Sequence, residues 1–223
     1  MLEAREALIL EALRSMPEDV VLIGEYAVNA FVPPRFSIDC DLVVFDKIPE
    51  ITKIMKNKGF TETERGDESN GEYIRFVRKG NKISFDLMLN SVLDRETGVV
   101  FEGDLFKRYS RVRATTGRVN PTLISMRIAD PELLFAMKFV SARRQDVRDV
   151  FMLSGVDVNW NLIKEIIEKK GTKELIRKRA NSIKTRVNGV GYRDSLQGAF
   201  GRIPDKAYEK CIKNLDNFLD AVT

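Results

Sequence analysis

The periodicity of apolar residues changes near Asp130, and this change restricts the possible folds of the 223-residue chain more than any other feature. Before Asp130, short apolar runs rich in β-branched residues alternate with brief helical patterns, whereas after it apolar residues recur every three or four positions. The first pattern predicts a small mixed or antiparallel sheet flanked by helices, and the second predicts a helical C-terminal half. We therefore expect an α+β chain with one domain over residues 1–125 and a helical domain over residues 126–223.

Proline, glycine and side-chain alternation place the individual elements. Pro49 and Gly59 mark the start and end of one helix, and Asp130 precedes another. Lys79-Gly80-Asn81 predicts the turn of a hairpin. The other predicted elements are a helix over residues 3–16, a strand ending at Gly24, a short helix over residues 25–32, a polar loop over residues 66–71, short strands over residues 109–115 and 122–126, and helices over residues 159–171, 172–187 and 205–222.

The composition excludes several kinds of chemistry. The sequence contains no histidine, so Ser-His-Asp catalysis, Cys-His catalysis and histidine-based metal sites are all excluded. Cys40 and Cys211 are too few for a disulfide framework. Any catalysis must therefore use carboxylate, lysine, arginine, tyrosine or serine side chains.

Charge and hydropathy predict a water-soluble protein. The formal net charge of +4 permits a polyanionic partner without requiring one. Charged residues interrupt the apolar runs well before the roughly 18 residues that a membrane span needs. The N-terminal segment is amphipathic rather than signal-like. We expect a cytoplasmic protein without a membrane partner, and the sequence does not indicate its oligomeric state.

Two carboxylates occupy one face of a predicted strand. Asp39 and Asp41 are separated by Cys40, and side chains two apart on a strand project from the same face. Ionised carboxylates at this spacing repel each other, so they recruit a cation, raise one pKa or stay in water. Mg²⁺ takes oxygen ligands and commonly sits on one or two carboxylates together with substrate phosphates. A solvated strand face is the alternative.

A third acid lies in the second arm of the predicted hairpin. Ile83, Phe85, Leu87 and Leu89 alternate along this arm and predict one apolar face. Asp86 belongs to the opposite face, on a strand otherwise built for burial. The sequence thus offers three strand-borne carboxylates.

The order of these parts resembles the nucleotidyltransferase superfamily, whose members share the polymerase-β-type palm. The shared pattern is a strand ending in Gly24, a short helix, Asp39-x-Asp41 on the next strand and Asp86 on a later one. The segments RFSIDCD and LLFAMKFVSARRQDVRDV are most similar to the toxin-type nucleotidyltransferases of abortive-infection systems. The resemblance extends from Val20 to Asp149.

This resemblance implies metal-dependent transfer of a nucleoside monophosphate from an NTP to a hydroxyl on RNA, protein or a small molecule. Two ions, Mg²⁺ or Mn²⁺, would be held by the catalytic carboxylates. A catalytically silent nucleotide-binding or RNA-binding module of the same fold is the alternative. The residues implied are Asp39, Asp41 and Asp86 for catalysis and metal binding, and Gly24, Glu25, Arg35, Ser37 and Lys138 for nucleotide binding.

Glu25 departs from the family pattern, which has a second small residue after the glycine. A carboxylate there could repel the triphosphate, could join a metal, or could be an outward-pointing acid at a helix N-terminus. We expect the outward-pointing orientation.

Residues later in the chain have structural alternatives. Lys138 is a phosphate contact or a surface lysine, and Asp146 and Asp149 either orient a basic residue near the site or form links within helices. Basic runs between Lys169 and Arg193 could follow RNA phosphates, with Tyr192 and Phe200 stacking on bases, or could be solvated helix faces.

Overall fold

The computed structural model describes residues 2–68 and 71–223, and for residues 67 and 68 it describes the backbone but not the side chains. Residues 69 and 70, in the predicted polar loop, lie outside the described residues. The chain divides into two compact units. The sheet unit comprises the chain up to Ala30, Pro34–Leu93 and Val100–Asp130, and the helical unit comprises Phe31–Pro33, Asp94–Val99 and Pro131–Thr223.

A mixed sheet forms the centre of the sheet unit. Its seven described strands are β1 (Val21–Ile23), β2 (Asp39–Val44), β3 (Thr61–Glu68), β4 (Gly71–Arg78), β5 (Ile83–Leu89), β8 (Ser110–Thr115) and β9 (Ile124–Ala129), and β6 (Ser91–Leu93) and β7 (Val100–Glu102) form a separate ribbon. The order across the sheet is β3-β4-β5-β2-β1-β9-β8. The pairs β2·β5 and β1·β9 are parallel, and the other neighbours are antiparallel.

Helices accompany this sheet, as the sequence predicts for an α+β chain. They are α1 (Leu2–Arg14), α2 (Gly24–Val28), α3 (Ile48–Asn57) and α4 (Gly103–Arg108). The α1 helix contacts β9 and buries Ile9, Leu10 and Leu13, which lie on one helical face. The expected helices over residues 3–16 and from Pro49 are confirmed.

The hairpin of β4 and β5 confirms the predicted alternation. Its strands pair in register from Arg78 and Ile83 outward. The four apolar side chains of β5 are at most 6% exposed, whereas the residues between them face the other way. This buried face fixes the register, because a slip of one residue would exchange the two faces.

The helical unit is built from helices that pack their apolar faces together. They are α5 (Pro131–Ser141), α6 (Arg144–Ser154), α7 (Trp160–Lys170), α8 (Lys173–Val187), α9 (Tyr192–Phe200) and α10 (Asp205–Val222). Phe135, Trp160 and Phe218 form an aromatic cluster with ring centroids 5.2–5.4 Å apart. The predicted helical periodicity is confirmed for this half, and α9 is an addition to the prediction.

No helix in the described part of the chain combines the length and the apolar character needed to cross a bilayer.

Candidate active site

Two neighbouring parallel strands carry the three predicted acids. The register of β2 and β5 places Asp41 beside Asp86, and Asp39 beside Ser84. All three carboxylates therefore project from one face, while Cys40 is buried on the other. Asp86 thus lies on the strand next to Asp39 and Asp41 and on the same face of the sheet, and these three residues are called the acid site below.

Gly24 lies directly against one of these carboxylates. The β1 strand pairs with β2 so that Ile23 faces Asp41, and Gly24 follows with a φ of +69°. A Cβ atom at Gly24 would lie 2.2 Å from Oδ2 of Asp41, well inside van der Waals contact. Both the left-handed backbone and the close carboxylate require glycine here.

Hydroxyl groups orient the first acid. The Ser84 hydroxyl donates a hydrogen bond to Oδ1 of Asp39. The Asp39 backbone N–H donates to Oγ of Ser37 across 3.2 Å, so Ser37 shapes the entry into β2. The Asp39 side chain is 47% exposed, which leaves it oriented but accessible.

Arg75 is a member of the site that the sequence analysis missed. It pairs with Asp86 across β4 and β5. Its Nε lies 3.5 Å from Oδ1 of Asp86, and its Nη2 lies 3.7 Å from Oδ1 of Asp39 and 3.4 Å from Oγ of Ser84. The connection between the strands is residues 79–82, one residue longer than the predicted turn, and counting back from Lys79-Gly80-Asn81 would have placed Arg75 opposite Phe85 instead of Asp86.

The acid site is electrostatically suited to a cation. The three carboxylates outnumber the single Arg75 guanidinium, so the site keeps a formal negative charge. Burial raises the pKa of the Cys40 thiol well above its usual range, and the nearby carboxylates, Asp41 foremost, raise it further. The oxygen ligands and the residual negative charge both fit a hard divalent ion.

Glu25 does not point outward, and that expectation is wrong. It is 8% exposed, and its Oε1 lies 2.8 Å from Nη2 of Arg35. Both side chains are largely withdrawn from water, at 9% and 13% exposure. Because a buried carboxylate needs a partner, the ion pair accounts for an acid at this position.

Tyr26 in α2 and Asn29, which directly follows this helix, hold the segment that carries Arg35 and Ser37. The Asn29 amide donates to the Arg35 carbonyl and accepts from the Arg35 N–H, both across 2.9 Å. The Tyr26 hydroxyl donates to the Ser37 carbonyl across 3.0 Å. Burial raises the Tyr26 pKa far above its usual value, so it remains a neutral donor. The segment leading into β2 is thus fixed by these two side chains.

Lys138 lies in the helical unit, within a buried ionic cluster. Its Nζ is 2.8 Å from Asp146 and 3.0 Å from Asp149, and all three side chains are at most 12% exposed. Asp146 also accepts from the backbone N–H of Arg143 at the start of α6. The two aspartates therefore orient a lysine, and the role of Lys138 in nucleotide binding stays a prediction.

The predicted stacking residues contribute to packing instead. Phe200 is 6% exposed. The Tyr192 ring packs against Phe151 with centroids 5.6 Å apart, and its hydroxyl donates to the Val147 carbonyl. Base stacking by these two rings is not supported.

No protein-family model matches this chain, and no curated protein matches it in sequence. Any functional assignment therefore depends on the geometry of the acid site.

Proposed function

We propose that the chain is a metal-dependent nucleotidyltransferase, which moves a nucleoside monophosphate from an NTP to a hydroxyl acceptor on RNA, protein or a small molecule. The observation that carries this proposal is the parallel register that joins Asp41 to Asp86, with Asp39 on the same face. Gly24 against Asp41 supports it further. A strand ending in glycine, a short helix, a D-x-D strand and a third acid on the adjacent parallel strand make up the arrangement expected of a nucleotidyltransferase palm.

The three acids are the proposed ligands of Mg²⁺ or Mn²⁺. Bound there, the ions would supply Lewis-acid chemistry, making an acceptor hydroxyl more nucleophilic and neutralising charge on the triphosphate. Ser84 donates to the Asp39 carboxylate and fixes its orientation, Ser37 accepts from the Asp39 backbone N–H, and Gly24 lets Asp41 approach the backbone at the start of α2. Asp86 is the proposed acceptor of the proton released by the attacking hydroxyl.

The test is incubation with each labelled NTP, Mg²⁺ or Mn²⁺, and a mixture of RNA and protein acceptors. We expect label to appear in an acceptor. Asp41→Asn should reduce the rate by at least about 100-fold, because loss of even an outer-sphere partner of a metal costs up to about that factor.

Asp46→Asn is the matched control, since Asp46 is an exposed acid just beyond the end of the same strand. It should transfer label at the rate of the unmodified protein. Normal turnover by Asp41→Asn would contradict the proposed mechanism.

A catalytically silent nucleotide-binding or RNA-binding module is the second candidate. The observation that favours it is the Glu25–Arg35 pair, which puts a buried carboxylate where the family has a small residue and engages a predicted nucleotide-binding residue. Metal-dependent NTP binding by calorimetry, without transfer to any acceptor, would support this candidate over the enzyme.

A further inference from the structure

A small pocket in the helical unit is lined by three arginines. Arg144 and Arg148 come from the first turns of α6, and Arg186 comes from the last turn of α8. Its volume is about 190 Å³. None of the described residues that line it is acidic. We call it the arginine pocket.

These arginines differ from some other arginines of the same unit, which have ion-pair partners. Arg179 pairs with Glu96 and Arg193 pairs with Asp205. In the described part of the chain, no carboxylate forms an ion pair with Arg144, Arg148 or Arg186. Within the described residues, these three arginines thus share one concavity without an ion-paired carboxylate.

Helix stability does not account for this arrangement. Arg144 and Arg148 are four residues apart on α6, where like charges destabilise a helix by a few tenths of a kcal/mol. Arg144 also occupies the first helical position, where the helix dipole disfavours a cation. Only Arg186, near a helix C-terminus, is favourably placed by the dipole.

The start of α9 adds a second feature that favours an anion. Gly191 occupies the N-cap position of this nine-residue helix with a φ of 76°, and because glycine has no side chain it supplies no side-chain cap to the N–H groups of the first turn. The space beside its Cα is open, because a Cβ atom there would meet nothing within 4 Å. Gly191 and Ser195 both line the arginine pocket. The N–H groups at the start of α9 and the Ser195 hydroxyl are therefore donors beside the three guanidinium groups, although Asp194 in the same turn offsets part of the helix dipole.

We propose that the arginine pocket binds a dianionic terminal phosphate, as carried by a nucleoside monophosphate or by a 5′-phosphorylated RNA end. Three guanidinium groups around one small pocket suit a compact dianion, to which arginine donates paired hydrogen bonds. Diester phosphates along an RNA backbone would instead require cations spread over a track. This proposal is independent of the acid site.

The test is calorimetric titration in EDTA at low ionic strength, which removes metal-dependent binding elsewhere on the chain. The probes are inorganic phosphate, AMP, and one oligoribonucleotide prepared with a 5′-phosphate or a 5′-hydroxyl. We expect the phosphate-bearing probes to bind, and the 5′-phosphate to strengthen oligonucleotide binding at least tenfold. Comparing AMP with the 5′-phosphorylated oligonucleotide distinguishes a free nucleotide from an RNA end as the source.

Arg144→Gln/Arg186→Gln removes the two exposed arginines of the pocket, and it should weaken AMP binding at least tenfold. Arg177→Gln removes an exposed arginine of α8 outside the pocket, so affinity should not change. Affinity should also fall between pH 8 and pH 5, because phosphate loses its second charge near a pKa of about 6 while arginine stays protonated.

Three results would overturn the proposal. They are an absence of binding by every probe, unchanged AMP affinity in the double variant with intact circular dichroism, and measurable but equal binding of the 5′-phosphate and 5′-hydroxyl oligonucleotides. The last result would indicate that the arginines contact diester phosphates along the RNA backbone instead of a terminal phosphate.

Discussion

Arg75 brings a guanidinium within 3.5 Å of Asp86 and 3.7 Å of Asp39, so the acid site already contains one positive charge. This charge reduces the repulsion between the carboxylates, and it also opposes the arrival of a second cation at the same oxygens. The Arg75 side chain is 38% exposed, so water screens both effects in part.

Arg75→Gln should therefore strengthen Mn²⁺ binding several-fold, on the order of 1 kcal/mol, while lowering the melting temperature of the metal-free protein. Calorimetric titration of Mn²⁺ measures the first effect and thermal unfolding in EDTA measures the second. Arg65→Gln is the control, because Arg65 pairs with Glu62 in β3 and is exposed. Unchanged or weaker Mn²⁺ affinity in Arg75→Gln would show that Arg75 does not compete with the metal.

Glu25 and Arg35 give a prediction about stability. Glu25→Ser removes the carboxylate that Arg35 contacts at 2.8 Å, and breaking a buried ion pair from one side costs about 3 kcal/mol. Chemical denaturation should show a loss of this size. If Arg35 is replaced by Met as well, part of the loss should be recovered, since no buried cation is then left without that carboxylate.

Glu165→Ser is the control for this measurement. Glu165 pairs with Lys169 on the exposed face of α7, and such pairs contribute no more than about 0.5 kcal/mol. A loss in Glu25→Ser no larger than in this control, together with a gain in NTP affinity, would indicate that Glu25 faces the nucleotide.

At the scale of helices and strands, the sequence predicts best where burial on one face imposes a period. The alternation in β5 identified both its buried face and the face that carries Asp86, because a strand half in the core admits one register. The same logic located α7, α8 and α10. The three residues of the acid site could be picked out from the sequence because their carboxylates interrupt the apolar patterns of two strands.

Other features depend on contacts between distant residues, which periodicity does not record. The chain from Asp130 to Leu153 is continuously helical in pattern, yet Ala142 takes a left-handed φ of 46° and separates α5 from α6. That turn brings Lys138 against Asp146 and Asp149. The sequence did not predict α9, because glycines in and around it are typical of a loop. Its Leu196 and Phe200 are buried in the folded structure.

The α5–α6 pair is predicted to depend on Lys138. Lys138→Met would leave Asp146 and Asp149 buried without the ammonium group that both contact, at an expected cost of about 3–5 kcal/mol. Urea unfolding followed by Trp160 fluorescence measures this, because Trp160 is the only tryptophan and lies in the helical unit. Lys169→Met, on the exposed face of α7, should have little effect. Equal midpoints for the two variants would contradict a stabilising role for this cluster.

At the scale of the whole molecule, the two units are interleaved along the chain. Asp94–Val99 belongs to the helical unit although the sheet unit precedes and follows it in sequence. Within the helical unit, Asp94 lies 3.3 Å from Arg143, and Glu96 lies 2.8 Å from Arg179. Composition along the chain cannot reveal that Asp94–Val99 belongs to the helical unit, because these ion pairs join residues 49 and 83 positions apart.

A fragment of residues 126–223 should therefore be less stable than the same helices in the intact chain. Without Glu96, Arg179 loses the carboxylate that it contacts at 2.8 Å, and because Glu96 is 56% exposed the expected cost of losing this pair alone is about 1 kcal/mol. Trp160 fluorescence in urea again measures the helical unit. Joining residues 92–101 to the fragment through a flexible linker should restore much of the loss, and the same segment with Glu96→Gln should restore less. That comparison isolates the ion pair from every other effect of truncation, so equal stability of the two linked fragments would show that Glu96 does not stabilise the helical unit.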